Sequence, residues 1–283
     1  MRFINGNGHY NILSENDFNE IKHNVSFSGG RTSAYMLHKL LEIIPKDKMV
    51  INFANTGRES EETLLFVKQN EEYLNIKINW VEFDLDENDK ATFKTVNYDS
   101  CSRNGEPLYK AIKHSKYVPN VMQRRCTIAS KIETMKRYMD SLNLPFEKYV
   151  TYIGIRDDEP KRWSKEVGQF GSNSQMKCYP LVDWKITRKD VIDYWAKMPF
   201  DLQIEEPFGN CDLCFLKSTK RRISVLKQKP EIAEFWSNIE KEFGNTFDNE
   251  YSVKQLLMIS KRKAKVDESK FQTKDIDCNC NID

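Results

Sequence analysis

Three sets of residues in this chain have types and spacings suited to chemistry. The first is the run Ser28-Gly29-Gly30-Arg31-Thr32-Ser33. Two adjacent glycines let an anion approach the main chain, the serines add hydroxyl donors, and Arg31 adds a planar charged fork for phosphate oxygens. Between a strand and a helix, such a loop presents its amides at the positive end of the helix. A glycine pair alone is also a common turn. The spacing here is neither G-x-x-x-x-G-K-S/T nor G-x-G-x-x-G.

The second set is Arg31, Arg58, Arg156 and Arg162, each in or beside a loop that follows an expected strand. Ligands of open α/β sheets bind at those carboxyl ends, so converging arginines would surround a polyphosphate; a single one is worth no more than a surface ion pair. The third set is the cysteines, seven in number, an odd count that with no secretion signal argues for reduced thiols, metal ligation or redox chemistry. Cys211 and Cys214 form a C-x-x-C: two metal ligands, a redox pair or coincidence. Cys126 is the best third ligand, because an expected helix start and the neighbouring Arg124 and Arg125 favour its thiolate. Cys101, Cys178, Cys278 or Cys280 could supply a fourth, and soft ligands suit iron–sulfur or zinc alike.

These residues need a scaffold, and the pattern of the chain supplies one. "VSF" is a short strand, after which Ala34, Leu37, Leu40, Leu41 and Ile44 keep helical spacing until Pro45. "MVINFANTG" reads as a buried strand, Ser60 as the cap of "EETLLFVKQNEEYL", and "IKINWVEFD" as a third strand. Residues 87–107 read as a long functional loop, followed by helices over 107–117 and 127–142. "YVTYIGIR" is another buried strand, and Thr187 with Asp190 starts "ITRKDVIDYWAKM" in capping-box fashion. The alternation predicts an α/β fold, a mostly parallel, doubly wound sheet with helices on both faces. Residues 1–23 read as a polar N-terminal extension, 24–200 as the α/β domain, and 201–283 as a helical, cysteine-bearing cap with a tail.

Composition sets further bounds. The 44 Lys and Arg against 42 Asp and Glu leave +2, which excludes a whole-surface polyanion binder. Basic clusters at 217–222 and 261–265 are ordinarily solvated faces, but beside a nucleotide pocket they would guide a nucleic-acid substrate. No apolar run of about 18 residues is present, so a soluble cytosolic protein without membrane contact is expected, and a homo-oligomer stays open. His9, His23, His38 and His114 show no metal spacing and read as structural or exposed.

Taken in order, the motifs resemble the superfamily of PP-loop ATP pyrophosphatases and phosphoadenosine phosphosulfate (PAPS) reductases. "SFSGGRTSAYML" resembles its Rossmann-like PP-loop, although Arg31 and Thr32 replace the Lys and Asp of the usual S-G-G-K-D-S. "NFANTGRESEET" is similar to its D-T-G…E-T loop, with Asn55 in place of the acid and Thr56, Gly57, Glu62 and Thr63 kept. "IGIRDDEPKR" resembles its G-I-R…E…R turn at Gly154, Arg156, Glu159 and Arg162. "YPLVDWKITRKDVIDYW" resembles its P-L-x-x-W-x…D-V-x-x-Y segment at Pro180, Leu181, Trp184, Asp190, Val191 and Tyr194. "SRNGEP", "PFDLQ" and "GNCDLCFLK" look like the branch carried by bacteriophages and prophages, whose setting is the bacterial host cytosol.

The resemblance implies an enzyme of sulfur chemistry that binds ATP, PAPS or another adenine nucleotide, with Mg2+ as accompanying cation. Ser28, Gly29, Gly30, Arg31, Thr32, Ser33, Thr56, Gly57, Arg58, Gly154, Arg156 and Arg162 would form the nucleotide site. It implies a [4Fe-4S] cluster on Cys126, Cys211 and Cys214, the adjacent cysteine pair of the reductases being reduced to Cys126. Nucleotide-dependent sulfur transfer, by adenylylation, pyrophosphate release and thiolation, is favoured over reduction of an adenylyl sulfate. The reductases attack sulfur with a tail cysteine in a Glu-Cys-Gly-x-His setting; Cys278 and Cys280 are the catalytic candidates here, in a tail lacking that Gly and His. Because Thr32 and Asn55 stand where acids are expected, a nucleotide-binding regulatory module without turnover is the alternative.

Overall fold

The computed structural model describes residues 2–4, 10–12, 15–120, 124–166, 176–205, 207–248 and 250–262. The chain begins with β1 (Arg2–Ile4), β2 (Tyr10–Ile12), α1 (Glu15–Glu20), β3 (Lys22–Ser26), α2 (Arg31–Leu41), β4 (Met49–Asn55) and α3 (Glu61–Leu74). It continues through β5 (Ile78–Leu85), β6 (Ala91–Val96), α4 (Glu106–Ser115) and α5 (Arg125–Thr127), which runs through a π-helical turn (Ile128–Glu133) into α6 (Thr134–Ser141). β7 (Tyr149–Ile153), α7 (Pro160–Glu166), β8 (Met176–Cys178), α8 (Pro180–Asp183) and α9 (Arg188–Trp195) follow. Then come α10 (Thr219–Gln228), α11 (Ile232–Phe243) and α12 (Val253–Ser260).

The strands form one sheet in the order β2-β1-β8-β7-β3-β4-β5-β6, parallel from β8 to β5 and antiparallel at both edges. The expected α/β sheet is therefore present, with helices on both faces. β4 reads as a continuous apolar run because both its faces are covered. Ile51 and Phe53 pack into a core with α2, α3 and α9, while Ala54 joins Met135 and Tyr138 of α6 on the other side. On that second face Asn52 Nδ2 donates to Asn24 Oδ1 (2.9 Å), and Asn24 Nδ2 to Thr151 Oγ1 (3.0 Å), a polar rung across three central strands.

β3 pairs with β4 on one side and β7 on the other, so the connections leave in opposite directions from it. The loops after β3 and β7 open a crevice at this switch point, where α/β sheets bind ligands. The cap of α3 at Ser60 and the capping box of Thr187 and Asp190 are as expected.

Two segments differ from expectation. Residues 2–4 and 10–12, within the expected extension, are strands that lengthen the sheet, with β2 at its edge, because β8 offers β1 a free side that no local pattern announces. Inside the expected 87–107 loop lies β6, paired with β5 across a tight turn at Asp86–Lys90. At the C-terminal end, α10–α12 build a second core with Leu108, Ile112 and Val118 on and just after α4.

Candidate functional site

β3 delivers the glycine pair to the crevice, and the loop is shaped by its own serines. Ser33 Oγ donates to Gly30 O (3.0 Å) and accepts from Ser28 N (3.2 Å), with Ser28 Oγ 2.9 Å away. Gly29 has φ +74°, and a Cβ there would lie 2.7 Å from Thr63 Cγ2. Gly154, just past β7, comes so close that a Cβ would stand 3.0 Å from Ser33 Cα. These residues form the floor behind the first turn of α2.

The turn after β7 closes against this loop. Arg156, buried, donates from a terminal nitrogen to Thr32 Oγ1 (3.2 Å) and from Nε to Asp158 Oδ1 (2.9 Å). Glu159 accepts from Arg156 N (3.1 Å) and from Arg162 (2.6 Å), so the turn is a closed charge network. Arg31 extends the other way. Its Nε and a terminal nitrogen meet the two oxygens of Asp201 at 2.7 and 2.9 Å, and the terminal nitrogen also reaches Leu202 O at 2.6 Å.

Above this floor lies a cavity of about 200 Å3, walled by Gly30, Thr32 and the four arginines Arg31, Arg156, Arg188 and Arg221, with Asn210 opposite. Amide groups at the start of α2, a helix dipole and several guanidinium groups together favour an anion. Of the expected nucleotide set, Gly30, Arg31, Thr32 and Arg156 reach the wall. Ser28, Gly29, Ser33 and Gly154 support it from behind, and Arg162 stands beside Glu159.

Thr56, Gly57 and Arg58 occupy the neighbouring loop, after β4. Glu59 fixes Thr56 through its N–H and hydroxyl (2.8 Å each), and Lys131 of the π-helical turn pairs with Glu59 at 3.0 Å. Gly57, at φ +76°, lies against Gly105, leaving no room for a Cβ. Arg58 bonds Asp212 and lies 4.5 Å over the Phe235 ring, which turns it toward the C-terminal core. Asn55, where the family pattern carries an acid, donates to buried Glu82 (2.5 Å) and Ser102 O (2.9 Å) and accepts from Gly57 N (3.0 Å). It holds the loop.

The C-x-x-C loop joins the same neighbourhood. A short antiparallel bridge links Glu59 to Cys211, with Ser60 N to Asn210 O and Asp212 N to Arg58 O both at 3.1 Å. Buried Lys217 donates to Cys211 O (2.5 Å) and Asp212 O (2.7 Å). Cys126 packs against the apolar cluster that contains Leu213. Yet among the described residues no three Cys, His, Asp or Glu side chains converge as a metal would need. Burial pushes the Cys101 thiol up to about 11 and Cys178 higher still, so neither is a thiolate at neutral pH. Cys278 and Cys280 lie outside the described residues.

His23 and His38 are buried. His38 Nε2–H donates to Asn70 Oδ1 (2.8 Å), Nδ1 accepts from Tyr194 (2.7 Å), and desolvation pushes both histidines below their usual pKa. The 217–222 run is largely internal: Lys217 and Arg222 are buried, and Arg221 braces Pro207 O and Phe208 O. Asp201, Arg188, Asn210 and Arg221 were absent from the expected set. Arg188 follows the helix cap Thr187, a signal for an amide-rich helix start; Asp201 and Arg221 lie in the PFDLQ and 217–222 stretches noted above, but nothing local places them at α2, where only the tertiary fold brings them.

No helix among the described residues is long and apolar enough to cross a membrane. Residues 22–202 match the family model of the phosphoadenosine phosphosulfate reductase domain. The chain is 32% identical over 204 residues to an uncharacterized nin region protein of Escherichia phage lambda, covering 70% of this chain and 67% of that protein. It is 24% identical over 228 residues to an uncharacterized protein of Methanocaldococcus jannaschii, spanning 77% of this chain but only 41% of that protein. The matched span runs from β3 to Leu202 and takes in the glycine loop, both neighbouring turns and the Arg31–Asp201 pair, so the chain belongs to the phosphoadenosine phosphosulfate reductase domain family.

Proposed function

We propose that this chain is an adenine-nucleotide-dependent enzyme of sulfur transfer that binds the phosphates of ATP in the cavity at the start of α2. The observation that carries the proposal is that cavity, where Gly30 and Thr32 at the helix start face Arg156, Arg188 and Arg221. In the first step a nucleophilic oxygen of the acceptor attacks the α-phosphorus, the bond to the bridging oxygen breaks, and pyrophosphate leaves with the electron pair. Fixed amide and guanidinium groups stabilise the charge that develops there. A sulfur nucleophile then displaces AMP from the activated acceptor. Mg2+ would accompany ATP and share its charge.

A second reading, a nucleotide-binding module without turnover, is favoured by one observation: Asn55 replaces the family's acid and is committed to Glu82 and Ser102. Incubation with ATP and with PAPS, assayed for pyrophosphate and for sulfite, separates the possibilities. Pyrophosphate release supports transfer, sulfite release points to a reductase, and nucleotide affinity with neither product points to the module. Absence of affinity for ATP, ADP and PAPS alike would remove the nucleotide reading. In Arg188→Gln and Arg221→Gln, ADP affinity measured by calorimetry should fall about tenfold each, the worth of one charged hydrogen bond.

A further inference from the structure

We propose that Arg31 and Asp201 form a clasp that positions the strap 202–210 over the nucleotide cavity, and that Arg31 serves the nucleotide through this clasp rather than as a phosphate ligand. The proposal rests on the nucleotide reading above for its ligand, though not for its geometry. Arg31 is held at both ends, by the last residue of α9 and by the segment that follows it. Its side chain makes the two-pronged pair with Asp201 and the bond to Leu202 O, and its own carbonyl accepts from Trp195 Nε1 at 2.9 Å. Asp201 is equally committed, since Oδ1 also accepts from Leu202 N at 2.7 Å.

The strap has neither helix nor strand among its described residues, yet it walls two cavities. Ile204, Phe208 and Gly209 line the arginine-rich cavity on one side and, on the other, a cavity of about 430 Å3 bordered by the start of α3. Its far end is braced by Arg221 on Pro207 O (2.8 Å) and Phe208 O (2.7 Å), and by Ser60 N on Asn210 O (3.1 Å). Its near end depends on Arg31. A guanidinium makes the two parallel bonds to a carboxylate that an ammonium cannot. That gives a physical reason for arginine where the family pattern carries lysine. An arginine neutralised by its own carboxylate adds little to the field on an anion, and Arg156 is likewise paired with Asp158 and Glu159, so the amides at the start of α2, with Arg188 and Arg221, are what the wall offers an anion.

The two roles predict opposite signs. If Arg31 were a phosphate ligand, Asp201→Asn would release its fork and tighten ADP binding; if it is a clasp, Asp201→Asn loosens the strap and weakens binding. Hydrogen exchange of the 203–210 amides in the ligand-free protein should rise at least tenfold in Asp201→Asn, Arg31→Gln and Arg31→Lys. It should return toward the parent rate in the exchanged pair Arg31→Asp with Asp201→Arg. ADP affinity by calorimetry should fall about tenfold in the three single variants, with circular dichroism and thermal midpoints showing each folded. Unchanged exchange in Asp201→Asn, or tighter ADP binding by it, overturns the clasp. Should the exchanged pair fail to fold, the sign of the change in ADP affinity in Asp201→Asn, with its exchange rate, still decides. If the parent itself does not bind ADP, the nucleotide reading fails while exchange continues to judge the clasp.

Discussion

At the scale of single residues, the glycine loop shows what was legible and what was not. Gly29 carries both a left-handed backbone and a crowded Cα, whereas Gly244, at φ +67° after α11, faces open space. Gly244→Ala should therefore cost about 1 kcal/mol of backbone strain, and Gly29→Ala about 3 kcal/mol once the collision with Thr63 is added. Urea unfolding of the two variants measures the difference; equal costs would contradict the crowding. The histidines give a pH test. His23 and His38 have folded pKa values below the usual 6.5, so the unfolded chain binds more protons in the window just under it. Their contribution is complete above 6.5 and is lost as pH falls through the folded values, which denaturation midpoints from pH 7.5 to 5 should record. The glycines, serines and Arg156 could be placed from sequence because each sits within a few residues of the strand that delivers it. Asp201 could not, since its partner is Arg31 and only tertiary structure brings them together.

At the scale of elements, the 127–142 segment keeps a helical period throughout, and that period hides the π-helical turn at Ile128–Glu133. Such turns insert an extra residue and often mark functional sites. Here the turn carries Lys131 to Glu59, which in turn holds Thr56 and adjoins Cys211. Lys131→Met would leave a carboxylate oxygen of Glu59 buried without its cation, at about 3 kcal/mol or more. Thermal unfolding checks the cost. The strand β6 was missed for a different reason. Its residues alternate only weakly, and the hairpin is specified by Asp86 Oδ1 accepting from Asn88 N (2.8 Å) and Lys90 N (2.9 Å), a turn signal inside a stretch that reads as polar loop.

At the scale of the whole molecule, two apolar cores meet along a polar seam. One lies between the sheet and α2, α3 and α9, and the other joins α10–α12 to α4. Arg58 crosses the seam to Asp212, whose carboxyl is pushed up by burial against the pull of that arginine, Leu213 N and Trp236 Nε1. In Arg58→Met the arginine's share of that pull is lost. The C-terminal core should then unfold before the sheet, visible as a second calorimetric transition and as protease cleavage between 203 and 212; a single unshifted transition would contradict this. The collinear motifs of 24–200 made the sheet and its ligand end legible. The part played by the C-terminal region in walling the cavity was not, because Arg221 and Asn210 reach it only through packing across this seam.

The strap also acts as a ruler. Arg31 grips it at Asp201 and Leu202, and Arg221 grips it at Pro207 and Phe208, so the chain between Leu202 and Pro207 is tied at both ends. Length, more than identity, is then what this stretch must preserve. One glycine inserted between Gln203 and Ile204 should disturb the cavity as much as losing the clasp, whereas the same insertion in the exposed Asp86–Lys90 turn should leave ligand affinity intact.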